Sequence, residues 1–493
     1  MKKFLKRFLL GTLVLLVIFI GYVLIVTMNM ESKQITVDAI EAIEIPDSAV
    51  DHFAESIRIK TVTPENPEDF DSTQFRQMGQ FLTETYPLID SLLDKNVFNE
   101  FSFLYKWPGS KADLKPIMLY GHLDVVAVPE GNLPDWKHDP FGGELINDTV
   151  WGRGSIDDKN QVIAMMEATE MLLREGFRPE RTVYLAMGHD EENGGFAGAK
   201  AIGDYLRSQN FEAEYILDEG GCISKDLIPD MDKPVAMIGV AEKGFLSVKM
   251  EVKIEGGHSS MPAPETAIDV LTRAITKLVD NPFPARISPA IQGFIEYMGP
   301  ELSFLKKAVF ANSNIFGSLI ISAYEEKNSG NALVRTTIAP TIIDAGIKDN
   351  VIPQTASATV NFRILTGESI ESTLDRVKEI IDDDRITYSI YDFQSEPSPI
   401  SSDGSFGFKT LHHTIAEIYP KALVTPYLMV GGTDSRHFPD LSPNIYRFNP
   451  IKLDPDNIKS FHGLNEHLAV SEFKDCVRFY LQLIRNSTGP ESS

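Results

Sequence analysis

Short apolar runs recur through the first half of the chain, and each breaks into charged or imidazole side chains. Met118-Leu-Tyr-Gly leads into His122 and Asp124, and Thr149-Val-Trp leads into Gly152-Arg-Gly-Ser-Ile-Asp-Asp-Lys159. Residues 182–187 lead into Gly188-His-Asp-Glu-Glu-Asn-Gly-Gly195, and 213–217 into Asp218-Glu-Gly-Gly221. Runs of this length, with 101–106 beside them, predict strands, and helical spacing over 49–60, 71–90, 161–175 and 198–206 predicts their covering helices. Strands alternating with helices in this way predict an α/β fold: a mostly parallel sheet with helices on both faces. The polar clusters then fall on one edge, at the carboxyl ends of strands, where open α/β sheets place their sites. His122 and Asp124 are two residues apart, so on a strand they share a face.

The pattern changes at residue 241. Residues 241–255 alternate apolar and polar, as a strand solvated on one face does. Gly256-Gly-His-Ser-Ser260 follows, then a helix over 265–280. Residues 281–333 are punctuated by Pro and Asn around apolar helical stretches (287–297, 303–310) and read as an insertion. Strands at 335–344, 355–364 and 385–392 with a helix at 370–382 predict an antiparallel α+β domain inserted into the first. After Pro397 the α/β character returns, with helices at 408–418 and 471–484. The predicted organisation is 1–30 membrane anchor, 31–45 linker, 46–242 and 396–493 the two parts of the catalytic domain, and 243–395 the inserted domain.

Residues 8–28 carry no charge, and Lys2, Lys3, Lys6 and Arg7 precede them. As a helix rising ~1.5 Å per residue the run spans about 30 Å, enough to cross a bilayer. The positive flank predicts a cytoplasmic N-terminus and an extracytoplasmic catalytic domain. A cleaved signal peptide is the competing reading, but Ile25-Val-Thr-Met-Asn-Met30 offers no small-residue cleavage site. The 493 residues exceed one ordinary core, and a net charge of −24 argues against nucleic acid as a partner. Two cysteines, Cys222 and Cys476, rule out a disulfide scaffold.

The clusters point to metal chemistry. Imidazole is the commonest neutral metal ligand, and a carboxylate two residues on can orient it. Gly152 and Gly154 deliver Asp157 and Asp158 near a helix start, where capping and ligation are both open. Consecutive acids at 190–192 repel one another without a cation or proton between them. Glu191 and Glu192 suit a division of labour, one ligating and its neighbour acting as general base. The acidic strand ends still lack a second imidazole, and His462, in the Gly-broken loop Phe461-His-Gly-Leu-Asn-Glu-His-Leu468, supplies it.

In order, His-x-Asp, Gly-Arg-Gly-x-x-Asp-Asp-Lys, Asp-Glu-Glu-x-Gly-Gly, Leu-Asp-Glu-Gly-Gly, Gly-His-Ser-Ser, Asn-Val-Ile-Pro and His-Gly-x-Asn-Glu resemble the co-catalytic dizinc metallopeptidase family. That family contains aminoacylase, glutamate carboxypeptidase and carboxypeptidase S. The resemblance runs from about residue 50 to 485 and is strongest to the branch of carboxypeptidase S and the N-acyl-amino-acid synthase/hydrolase. It implies two Zn²⁺ per chain, held by His122, Asp157 as the bridge, Glu192, His462 and Glu219, with Asp218 as the alternative to Glu219. It implies that Asp124 orients His122, that Glu191 is the general base, and that a cis peptide joins Asp157 to Asp158. His258 would reach a partner subunit's site across a homodimer formed by the inserted lid, while Asn350 and Arg363 would bind substrate; the loop 432–436 resembles a further substrate loop. The implied activity is cleavage of an amide bond beside a free-carboxylate amino acid in a short peptide. An N-fatty-acyl-amino-acid amidase or synthase is the alternative. A catalytically silent tethered binder is disfavoured because every ligand and Glu191 are present.

Overall fold

A computed structural model describes residues 1–38, 40, 43–64, 66–228 and 231–489. At its centre lies the strand Ile117–His122, buried along its whole length. Val183–Gly188 and Tyr215–Asp218 flank it in parallel, with His122 opposite Gly188 and Leu119 opposite both Leu185 and Leu217. A strand covered on both faces has no solvated side, which is why these segments read as unbroken apolar runs. Beyond this centre the sheet is mixed rather than mostly parallel. Ser102–Trp107 lies antiparallel to Val183–Gly188, and Asp94–Phe98 pairs antiparallel with Ser102–Trp107. That hairpin turns through Asn99 and Glu100, both left-handed, and so short a connection permits only antiparallel pairing. On the other flank Ile445–Arg447 lies parallel to Tyr215–Asp218, and Arg447 pairs antiparallel with Gly239 of Val235–Glu242.

Helices cover both faces. Lys159–Arg174 is buried almost throughout and shares a core with Asp47–Arg58 and Val470–Thr488. Ala199–Ser208 sets Ala199, Ile202 and Leu206 against Met118, Tyr120 and Ala186 on the opposite face. Cys222 and Cys476 are buried and unpaired.

A second, four-stranded antiparallel sheet has the order Thr337–Ala345, Thr355–Ile364, Gly244–Lys253, Ile386–Ile390. Gly244–Lys253 alternates buried and part-exposed residues as its sequence alternates. The helices Ala267–Asp280 and Ile370–Ile381, each entered through a capping box (Thr266 with Asp269, Ser369 with Ser372), close a separate core around Leu246, Val248, Phe362, Leu271 and Val377. The helices Pro289–Met298, Phe304–Ala311, Ser313–Glu325 and Asn328–Val334 fall inside the span 243–395, yet Ala290, Ile291, Ile295 and Ile320 join the core of the large sheet. Apolar helical spacing predicts that a helix buries one face; it does not say against which core.

The N-terminal helix Lys2–Met28 is, among the described residues, the one helix long and apolar enough to cross a membrane, with a mean hydropathy of 3.0, and a signal sequence has the same composition. Its last turn is tied to the fold. The Asn312 amide donates to the Val23 carbonyl and to the Thr27 hydroxyl, both at 3.3 Å. Just beyond, Lys33 pairs with Glu296 at 2.7 Å and the Gln34 amide exchanges hydrogen bonds with the Val424 backbone at 2.8 and 2.9 Å.

Candidate metal centre

The three parallel strands end side by side, and the loops that leave them carry Asp124, Glu191, Glu192, Asp218 and Glu219 to one place. Asp157 arrives differently from the sequence expectation, because Thr149–Trp151 is not a strand of this sheet but pairs antiparallel with Glu144–Ile146 and His467–Ala469 in a separate one. His122 Nε2 lies 2.9 Å from Asp157 Oδ1, and His462 Nε2 lies 2.7 Å from Asp157 Oδ2 and 3.6 Å from Glu192 Oε2. Two sets of ligand atoms converge: His122, Asp157 and Glu219, and Asp157, Glu192 and His462, each within 4.8 Å. Asp157 belongs to both. The peptide bond from Asp157 to Asp158 is cis, and His462 adopts a left-handed backbone in its Gly-broken loop.

The protonation balance is set by burial against neighbours. Burial pushes the Glu192 carboxyl up to about 10, and the Asp157 charge adds to the shift. Glu219 is raised in the same way by burial and then by Asp157 and Asp158. Burial also opposes ionisation of Asp157, but hydrogen bonds from His122 and His462 outweigh it and hold that carboxyl well below the ordinary range. Glu192 Oε1 is buried without a hydrogen-bond partner. An orphaned carboxylate oxygen among converging acids and two imidazoles is what a cation would satisfy, and His, Asp and Glu donors suit zinc.

Neighbouring residues hold the ligands. Asp124 Oδ1 lies 3.3 Å from His122 Nδ1 and accepts from the Glu191 N–H, while Oδ2 accepts from Thr63 Oγ1 and the Glu192 N–H. One carboxylate thus fixes the His122 ring and the loop bearing both glutamates. Asp218 is engaged elsewhere: Oδ1 accepts from the Glu219 N–H, and Oδ2 from Thr433 Oγ1 and the Ser435 N–H. Glu219 is the member of the pair that joins His122 and Asp157.

Glu191 lies beside the triads with Oε1 2.6 Å from Arg436 Nη2. Burial lifts its carboxyl to about 7 against the opposing pull of His122 and Arg436. Arg436 stacks over Phe393, Arg363 stacks over Phe245 at 4.6 Å, and the positive charge of Arg436 bears on Arg363. A cavity of about 520 Å³ opens beside Arg436, lined by Phe196, Phe393, Pro397, Lys243 and Pro439 among others. His258 and Asn350 stand apart from the triads. They sit together on an exposed two-stranded ribbon, where His258 pairs with Val351 and contacts Ser260, and the Ser259 N–H donates to the Asn350 carbonyl.

Glu466 is the residue that sequence reasoning passed over. Buried, its Oε1 accepts from the N–H groups of Gly154, Ile156 and Asp157, and its Oε2 pairs with Arg153 at 2.6 Å. Arg153 in turn donates to the carbonyls of His462 and Gly463. The turn that presents Asp157 and the loop that presents His462 are therefore one unit, and the Asn-Glu following His462 was its sequence signal. Asp434, within the loop 432–436, is buried between Tyr120 and Gly195; a Cβ at Gly195 would collide with its carboxylate, which accounts for glycine after the acidic run. His189, bonded to Ser102 and packed among Phe70, Phe75 and Phe101, and His467, stacked on Trp151, are structural.

Residues 118–486 match peptidase family M20/M25/M40. The chain is 39% identical to a probable carboxypeptidase S-like protein of Dictyostelium discoideum, over 88% of this chain and 84% of that protein. It is 36% identical to the human N-fatty-acyl-amino acid synthase/hydrolase (88% and 86%) and 32% identical to carboxypeptidase S of Saccharomyces cerevisiae (89% and 84%). In fold it is similar to an M20 family metallo-carboxypeptidase from Sulfolobus solfataricus, with a TM-score of 0.64 at 17% identity over 89% of this chain and 99% of that one.

Proposed function

The chain belongs to peptidase family M20/M25/M40 and is a metal-dependent peptidase or amide hydrolase, and from that premise we propose that it is a dizinc carboxypeptidase S-like enzyme cleaving the amide bond next to a free-carboxylate amino acid. The observation that carries this reading is the pair of ligand triads sharing Asp157, with Glu191 buried next to Glu192. Two zinc ions, one held by His122, Asp157 and Glu219 and the other by Asp157, Glu192 and His462, would supply the Lewis acidity that lowers the pKa of a water and polarises the scissile carbonyl. Glu191, with its pKa lifted by burial, takes a proton from the attacking water and returns it to the leaving amine as the C–N bond breaks. Arg436 holds Glu191 Oε1 in place, and the Arg363 and Arg436 guanidinium groups suit capture of the substrate's free carboxylate.

An N-fatty-acyl-amino acid substrate is the second reading. The names of relatives such as the human protein favour it, as does the cavity beside Arg436, which offers Phe196, Phe393 and Pro397 to an acyl chain. In both readings Lys2–Met28 is a retained anchor with the catalytic domain extracytoplasmic. The contacts of Thr27, Lys33 and Gln34 with the folded domain support retention. A homodimer through the second sheet would bring His258 and Asn350 to the partner's site; the edge strand Thr337–Ala345, with Ile342 and Ile343 exposed, supports it.

The test presents the full chain, loaded with zinc, with dipeptides, carboxybenzoyl-Gly-Leu and N-fatty-acyl amino acids, following amine release by mass spectrometry. Preference for the peptides supports the first reading and preference for acyl substrates the second. No turnover at two metals per chain contradicts both.

A further inference from the structure

We propose that the helices Phe304–Ala311 and Ser313–Glu325 are seated in the membrane leaflet nearest the catalytic domain, with their outward apolar side chains against lipid. The inference rests on the reading of Lys2–Met28 as a retained anchor, and it adds where the folded domain stands relative to the bilayer. Residues 8–28 are just long enough to cross a hydrocarbon core of about 30 Å, so the last turn of that helix lies at the outer boundary of the core. Whatever packs on that turn lies at the same depth. Asn312, at the junction of the two insertion helices, donates to Thr27 in that turn and to the Val23 carbonyl one turn before it. Thr27 is fully buried by the contact, and Gly299 lets the Met30 side chain lie against the insertion's backbone.

The insertion presents apolar side chains at that depth. Phe304, Leu305, Ile315 and Leu319 are 57%, 79%, 42% and 57% exposed, an arrangement soluble surfaces avoid when such residues cluster. Polar contacts begin where the chain leaves the spanning helix: Ser32 bonds Glu301 and Lys33 pairs with Glu296. Apolar side chains continuous with a spanning helix, bounded by a polar belt, match a monotopic surface in the plane of a bilayer interface. That continuity selects lipid as the occupant, since a second copy covering the patch would have to enter the bilayer beside the anchor.

The full chain, reconstituted in phosphatidylcholine nanodiscs, tests this by contact quenching. Cys222 and Cys476 are buried, so a fluorophore attaches selectively to an introduced cysteine. Labels at Leu305→Cys and Leu319→Cys are expected to lose emission when the acyl chains are brominated, as does Leu15→Cys in the anchor. Val279→Cys, exposed on the second domain's helix, is expected to keep it. Unquenched labels at 305 and 319 with a quenched label at 15 overturn the proposal and leave the anchor standing. An intact mass lacking the N-terminal helix, or an unquenched label at 15, overturns the anchor reading and this inference with it.

Discussion

As the proposed base, Glu191 carries two requirements that pull against each other: it must be basic enough to take a proton and deprotonated enough to do so. Burial raises its pKa from the ordinary 4.5 to about 7, while Arg436 at 2.6 Å favours its charged form. Cations in the triads would draw it down further, placing its working value between those limits. A base is active only above its pKa, so kcat/KM should fall about tenfold per unit as the pH drops below that break. Glu191→Gln should keep its metal content and lose roughly 10²–10⁴ in kcat, with the acid break gone from the pH profile. Stopped assays across pH 4–9, with metal analysis of the variant, check both. The candidate ligands His122, Asp157, Glu192 and His462 were legible because each follows a strand or a Gly-broken turn with its motif intact. The choice between Asp218 and Glu219 was not. Successive residues at a strand end point to opposite sides, and only the folded chain shows that Thr433 and Ser435 occupy the Asp218 side. Arg436 reaches Glu191 across a sequence separation that no spacing rule spans.

At the scale of elements, the turn 152–157 and the loop 460–466 behave as one piece through Glu466 and Arg153. Glu466→Ala would leave three buried N–H groups without an acceptor and the Arg153 guanidinium without its counter-charge. Breaking a buried pair by removing one partner costs about 3–5 kcal/mol, and the orphaned donors add to it. Denaturant unfolding should show a loss of that order, and zinc affinity should weaken because Asp157 and His462 lose their common support. The strands 102–107, 117–122, 183–188 and 215–218 were readable from their apolar runs, but Asp94–Phe98, Val235–Glu242 and Ile445–Arg447 were not, and strand direction was readable for none of them. The pattern of a buried strand is the same whether its neighbour is parallel or antiparallel, so the mixed flanks of the large sheet emerge only from the pairing. The same limit applies to residues 289–334, whose apolar spacing predicts helices without naming the core they join.

For the whole molecule, the exposed ribbon carrying His258 gives the proposed dimer a functional test. If His258 serves the partner's site, Glu191→Ala and His258→Ala homodimers are each inactive, yet a heterodimer holds one site with both groups intact. Subunit exchange between the two should restore about a quarter of wild-type activity, the share of sites expected when half the dimers are mixed. Activity that does not rise on mixing would place His258 outside the reaction or in its own subunit's site.

The most direct test of the central claim is a zinc count. The zinc-stripped full chain is titrated with Zn²⁺ while turnover is followed, alongside Asp157→Asn. Because both triads contain Asp157, wild type should bind two equivalents and gain its activity with them, and the variant should bind less than one and stay inactive. Two equivalents retained by Asp157→Asn, or full activity of wild type at one, would contradict a shared-carboxylate centre.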